Sequence, residues 1–130
     1  MTIRLLLIDD NPAFLAAAST FLGTQPDVVI VAAAHDGQDG LVKAASLQPD
    51  LVLLDISMPG INGLEVAHRM QSLPAPPIIV FVSLNESEAY RTAARDLGVA
   101  GFLAKGRLTV DFPPLIESLF KHKSTEKHTI

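Results

Sequence analysis

Asp9-Asp10, Asp55, Ser83 and Lys105 each directly follow a short apolar run, and together they could supply three carboxylates, one hydroxyl and one ammonium. Taken singly they say little. An Asp at a strand end commonly caps the next helix, and a loop lysine is ordinarily solvated. Together they carry more, because parallel strands deliver whatever follows them to one rim of a sheet. Clustered carboxylates repel one another and call for a cation. With no cysteine in the chain and no nearby histidine pair, hard oxygen donors select Mg²⁺, or Mn²⁺, over zinc. Such an ion is held by one or two carboxylates, a backbone carbonyl and waters, which leaves room for phosphoryl oxygens. A carboxylate can then act as a nucleophile and form an aspartyl phosphate, while the metal and a fixed lysine offset the charge on the transferring oxygens. Asp55 follows the central run and is the expected nucleophile. Asp9 and Asp10 are the expected metal-binding acids, and Ser83 the donor to a third phosphoryl oxygen.

The elements that must position these residues can be read from the same chain. Apolar, β-rich runs occur at Ile3–Ile8, Asp27–Ala33, Leu51–Leu54, Ile78–Val82 and Ala100–Leu103. Most lack in/out alternation, as strands buried on both faces do. Helix signals lie between them. Asn11-Pro12 suits a helix start and Gly23 a left-handed stop, while Asp36 suits a cap and Pro49 favours an extended Gln48. Asn62 with Glu65, and Asn85 with Glu88, have capping-box spacing, and Gly98 ends the fourth helix. Asp111, Pro113 and Pro114 open a fifth helix with an apolar face of Leu115, Ile116, Leu119 and Phe120. Phe14, Ala18, Phe21 and Leu22 make a helical stripe read as core packing. The expected fold is an α/β, flavodoxin-like, doubly wound (βα)5 sandwich with a five-stranded parallel sheet in order 2-1-3-4-5. In that order the second strand, ending at Ala34-His35, lies at the edge, away from the site.

At 130 residues, with 48% apolar and 18% charged residues, the chain suits one packed domain. Residues 1–121 are expected to form it, with 122–130 a polar tail or the start of a linker. A net charge of −4 gives no electrostatic reason to bind nucleic acid or an anionic membrane. No apolar run reaches signal-peptide or membrane-spanning length, and the absence of cysteine fits the cytoplasm. His35, His68, His122 and His128 are scattered and read as surface residues.

The residues resemble bacterial response-regulator receiver domains over about residues 3 to 121. The matching motifs are Ile8-Asp9-Asp10-Asn11, then Leu54-Asp55-Ile56-Ser57-Met58-Pro59-Gly60 with Asn62-Gly63 and Glu65, then Phe81-Val82-Ser83 and Gly101-Phe102-Leu103-Ala104-Lys105. The last pattern resembles receivers attached to helix-turn-helix output domains. The resemblance implies a two-component switch that takes a phosphoryl group on Asp55 from a histidine kinase or phosphotransfer protein. It implies Mg²⁺ held by Asp9, Asp10, Asp55 and the Ser57 backbone carbonyl, and Lys105 contacting the phosphate. Ser83 and Phe102 would be the switch pair. The output face, and a face for pairing with a second copy, would be the fourth helix, fifth strand and fifth helix, including Tyr90 and Arg91. The domain would be a phosphoacceptor that catalyses only its own phosphorylation and dephosphorylation. Four positions differ from or tune the family pattern. Gly106 stands where proline is common, so a cis bond after Lys105 is not implied. Leu84 stands where a small residue is usual, which predicts narrower access to Asp55. Ser57 and Asn85 occupy the positions that tune dephosphorylation.

Other classes fit less well. A receiver-like module that signals without phosphorylation would not need the acid pair, Asp55 and Lys105 intact. Phosphatases that form an aspartyl phosphate place a second Asp where this chain has Ser57. A dinucleotide site needs a glycine-rich first turn, which here reads Asp9-Asp10-Asn11-Pro12.

Overall fold

The computed structural model describes residues 2–84 and 87–121. In chain order the elements are β1 (Ile3–Ile8), α1 (Pro12–Leu22), β2 (Val28–Ala34), α2 (Gly37–Leu47), β3 (Leu51–Asp55), α3 (Gly63–Met70), β4 (Ile78–Ser83), α4 (Glu88–Leu97), β5 (Gly101–Ala104) and α5 (Leu108–Ile116). A 3₁₀ turn, Lys105–Arg107, leads into α5, and a wider π-type turn, Glu117–Lys121, follows it. All strands pair in parallel in the order β2-β1-β3-β4-β5, the flavodoxin-like order expected.

Residue alternation explains the two helical layers. Leu5, Leu7, Leu51, Leu53, Val80 and Val82 point to one face, against Leu15, Ala18 and Leu22 of α1 and Leu108, Phe112 and Ile116 of α5. Leu6, Ile8, Val52, Leu54, Ile79 and Phe81 point to the other, against Ala44, Val66, Ala67, Met70 and Ala94 of α2, α3 and α4. Both sides of each central strand are therefore apolar, which is why the strand sequences do not alternate. β2 lies at the edge, and Val29 is exposed there. Phe21 and Phe112 meet edge to face, 6.1 Å between centroids, and join α1 to α5.

Several local expectations hold. Asn11 caps α1 with Pro12 as its first residue, Asp36 caps α2 through Asp39 N, and Asn62 accepts from Glu65 N. Gly98 is left-handed, with φ 74°. Others are corrected. Gly23 is right-handed (φ −65°), and the left-handed residue of that connection is Asp27 (φ 68°). Gln48 is left-handed (φ 49°) and not extended, because it closes α2 through its own N–H to Ala44 O. Of the second capping box, Asn85 lies outside the described residues, and the side chain that caps α4 is Ser87, which accepts from Tyr90 N. α5 starts at Leu108, ahead of Asp111, with Pro113 and Pro114 inside it. The prolines remove two helical donors. Burial of Leu108, Phe112 and Ile116 against the sheet offsets that loss.

Candidate functional site

The carboxyl ends of β1, β3, β4 and β5 converge as the strand order requires. A cleft of ≈ 270 Å³ opens there, lined by Asp10, Asn11, Asp55, Ser57, Ser83, Leu84 and Lys105. Such a volume lies below that of ordinary organic-ligand sites and suits a hydrated ion and a phosphoryl group better than a flavin or dinucleotide. One carboxylate oxygen from each of Asp9, Asp10 and Asp55 lies within 4.8 Å of the others. Asp9 and Asp55 are buried and Asp10 is exposed, so the cluster has one open side.

Local backbone fixes the two buried acids. Asp9 Oδ1 accepts from Asn11 N at 2.9 Å and Asp55 Oδ1 accepts from Ser57 N at 3.1 Å. Each acid therefore has one oxygen tied to its own turn. The other oxygens face Lys105, whose Nζ lies 2.6 Å from Asp9 Oδ2 and 3.5 Å from Asp55 Oδ2. Among the described residues Asp9 Oδ2 accepts no well-aligned hydrogen bond, so the lysine contact is an ion pair that leaves a buried lone pair unsatisfied. That oxygen is suited to a cation. A hard three-carboxylate set with this orphaned acceptor fits a divalent metal of the Mg²⁺ type.

Gly63 brings the next helix against this turn. A Cβ there would lie 2.6 Å from Ile56 Cα, and the Gly63 N–H donates to Ile56 O at 3.1 Å. Burial pushes the Asp55 carboxyl up from its ordinary 3.8 to about 6; the Ser57 N–H pulls down, Asp9 pushes up and Lys105 pulls down. Burial outweighs the nearby ammonium, as expected for a carboxylate that shares its lysine with a second acid.

The expected residues Asp9, Asp10, Asp55, Ser57, Ser83 and Lys105 are thus brought together. Ser83 is buried, and Leu84 is 80% exposed at the rim. The peptide after Lys105 is trans. Phe102 does not line the cleft; it is partly buried against the α2–α3–α4 layer, with the Arg91 guanidinium 4.8 Å above its ring. Tyr90 packs against the same layer. His35 and His68 are exposed, and His122 and His128 lie outside the described residues, as does the 122–130 tail. Phe14, read as core packing, does pack against the α1–α5 layer, but its ring also lies 4.5 Å from Lys105 Nζ. Sequence spacing gave no signal of that pairing, since the two residues are far apart in the chain.

Comparison with known proteins bears on the family and the fold. The family model described as "Response regulator receiver domain" matches residues 5–112. The nitrate/nitrite response regulator NarL of Escherichia coli K12 is 37% identical over 78% of this chain and 47% of its own length. A protein-glutamate methylesterase/protein-glutamine glutaminase of Geobacillus kaustophilus is 35% identical over 85% of this chain and 32% of its own. The chain thus spans about half, or less, of these relatives. Among solved structures, the receiver domain of a NarL regulator from Mycobacterium tuberculosis superposes with a TM-score of 0.81 at 28% identity, covering 92% of this chain and 94% of that one. The response-regulator domain of Thermotoga maritima CheB gives 0.78 at 28% identity, covering 91% and 93%. Among the described residues no helix is long and apolar enough to cross a membrane. The motifs after β1, β3, β4 and β5, the strand order and these matches lead to one conclusion: the chain belongs to the response-regulator receiver domains of two-component systems.

Proposed function

We propose that this domain is a phosphorylation switch with Asp55 as phosphoacceptor. The observation that carries the reading is the placement of one ammonium, Lys105, between two buried carboxylates beside an open cleft. Asp55 Oδ2 is the oxygen not tied to the Ser57 N–H and is the nucleophilic one. It bonds to phosphorus as the donor's P–N or P–O bond breaks, and the electron pair leaves with the donor. Lys105 supplies positive charge to the transferring oxygens, and Ser83, at the cleft wall, donates a hydrogen bond to one of them. Mg²⁺ or Mn²⁺, held by Asp9, Asp10, Asp55 and the Ser57 carbonyl, supplies further charge neutralisation when bound.

The donor is a histidine kinase or phosphotransfer protein in the cytoplasm. The domain, residues 1–121, turns over no separate substrate; it catalyses its own phosphorylation and dephosphorylation. The readout is a population shift: Ser83 is drawn toward the phosphoryl group and the Phe102 ring leaves Arg91 and turns inward. This remodels the α4–β5–α5 face, where a second copy or a downstream protein is recognised. The receiver itself acts through protein contacts at that face and does not touch DNA. Incubation with acetyl phosphate followed by intact mass tests the reading. A single phosphoryl adduct that needs Mg²⁺, disappears in EDTA and is absent from Asp55→Asn is expected. No adduct, together with no beryllofluoride binding, would favour a phosphorylation-independent protein-binding module.

A further inference from the structure

Lys105 is a nearly dehydrated cation, its side chain 7% exposed, yet the two carboxylates it pairs with lie 2.6 and 3.5 Å away. A third neighbour is the ring of Phe14, which lies under Nζ at 4.5 Å from its centroid. We propose that Phe14 is a positioning residue for phosphoryl transfer, its ring face holding the Lys105 ammonium at the cleft and aimed at Asp55. This rests on the phosphoacceptor reading of Asp55.

An aromatic face attracts an ammonium without neutralising it or occupying its N–H donors. Lys105 therefore keeps its full charge for phosphoryl oxygens while losing the freedom of a four-carbon stem. The ring is itself fixed. Phe14 N–H donates to Asn11 Oδ1 at 3.2 Å, and the side chain packs against the core layer that holds Leu15, Ala18 and Leu22. The Asn11 that lines the cleft thus also anchors the turn that carries the ring.

The geometry matters most once Asp9 Oδ2 is engaged by a cation. The ammonium must then give up its shortest contact, while the ring keeps it beside Asp55 Oδ2, 3.5 Å away. An aliphatic residue at position 14 would fill the same space without this guidance, so a purely structural role and a positioning role separate experimentally.

Phe14→Leu and Phe14→Tyr are compared with the parent by the rate of adduct formation from acetyl phosphate at saturating Mg²⁺. A loss of about tenfold is expected for Phe14→Leu, with Phe14→Tyr restored to within about twofold, as suits a desolvated cation–ring pair. Ring-current displacement of the Lys105 ε-methylene protons should appear in the parent and Phe14→Tyr and vanish in Phe14→Leu. Circular dichroism and urea midpoints check folding; if Phe14→Leu unfolds, Phe14→Met replaces it with the same expectation. Equal rates in Phe14→Leu and the parent, or a Phe14→Tyr as slow as Phe14→Leu, would overturn the inference while leaving the phosphoacceptor assignment intact. A parent that forms no adduct at all would overturn both.

Discussion

Lys105 Nζ stands 2.6 Å from Asp9 Oδ2, almost an ångström closer than its 3.5 Å approach to Asp55 Oδ2. The lysine is thus held chiefly by the acid proposed to bind metal and less closely by the proposed nucleophile. A divalent ion bound as proposed would compete with the ammonium for that oxygen. Lys105→Ala should bind Mg²⁺ more tightly, by roughly tenfold at the effective dielectric of such sites, as read by titration calorimetry. The same variant should still accept the phosphoryl group, though at least about tenfold more slowly, and with weaker transmission to Phe102. Phosphorylation-dependent NMR shifts at Phe102 as large as the parent's would refute that second expectation.

Asp55 sets a pH dependence with a definite sign. Its folded-state carboxyl titrates at about 6 against an ordinary 3.8, so the folded form holds the proton more firmly. The resulting stabilisation is complete below the ordinary value and is lost as pH rises through about 6. The shift is worth at most ~3 kcal/mol. In EDTA, Asp55→Asn should therefore be more stable than the parent at pH 8, by about 1–3 kcal/mol in urea denaturation, with the gap shrinking toward pH 4. Mg²⁺ should narrow the gap at pH 8. A gap that widens on acidification would contradict the assignment.

Leu84 lines the cleft yet is 80% exposed, so its removal costs the core nothing. Leu84→Ala should change stability by no more than about 0.5 kcal/mol. It should also accelerate labelling by acetyl phosphate or loss of the label, through wider access to Asp55. Unchanged kinetics in both directions would remove Leu84 from the account.

Gly63 allows α3 to begin against the turn that follows Asp55. Gly63→Ala would set a Cβ 2.6 Å from Ile56 Cα, a backbone atom that cannot step aside. The expected cost is on the order of 1–3 kcal/mol, typical of an overpacked site. It should be accompanied by slower phosphorylation as the Asp55 turn shifts. Parent-like urea midpoints would show that the loop adapts.

The sheet order and the chemical set were legible in the chain for a local reason. Both faces of the central strands meet helices, so Leu5–Ile8, Leu51–Leu54 and Ile79–Val82 are apolar throughout, and a polar residue marks the carboxyl end of β1, β3, β4 and β5. Asp9, Asp10, Asp55, Ser83 and Lys105 mark those points, and parallel pairing alone brings them to one rim. Caps at Asn11, Asp36 and Asn62 were readable because a side chain bonding two or three residues ahead is a short-range interaction. Left-handed Gln48 and the start of α5 ahead of its prolines were not, since helix closure and burial against the sheet overrode local preference there. Nor did any spacing disclose the division of Lys105 between Asp9 and Asp55, the Phe14 ring above it, or Arg91 over Phe102. Those depend on distances between side chains from different strands and helices, which are set only when the layers pack. Residue type determined which groups reach the cleft; packing determined which of them touch.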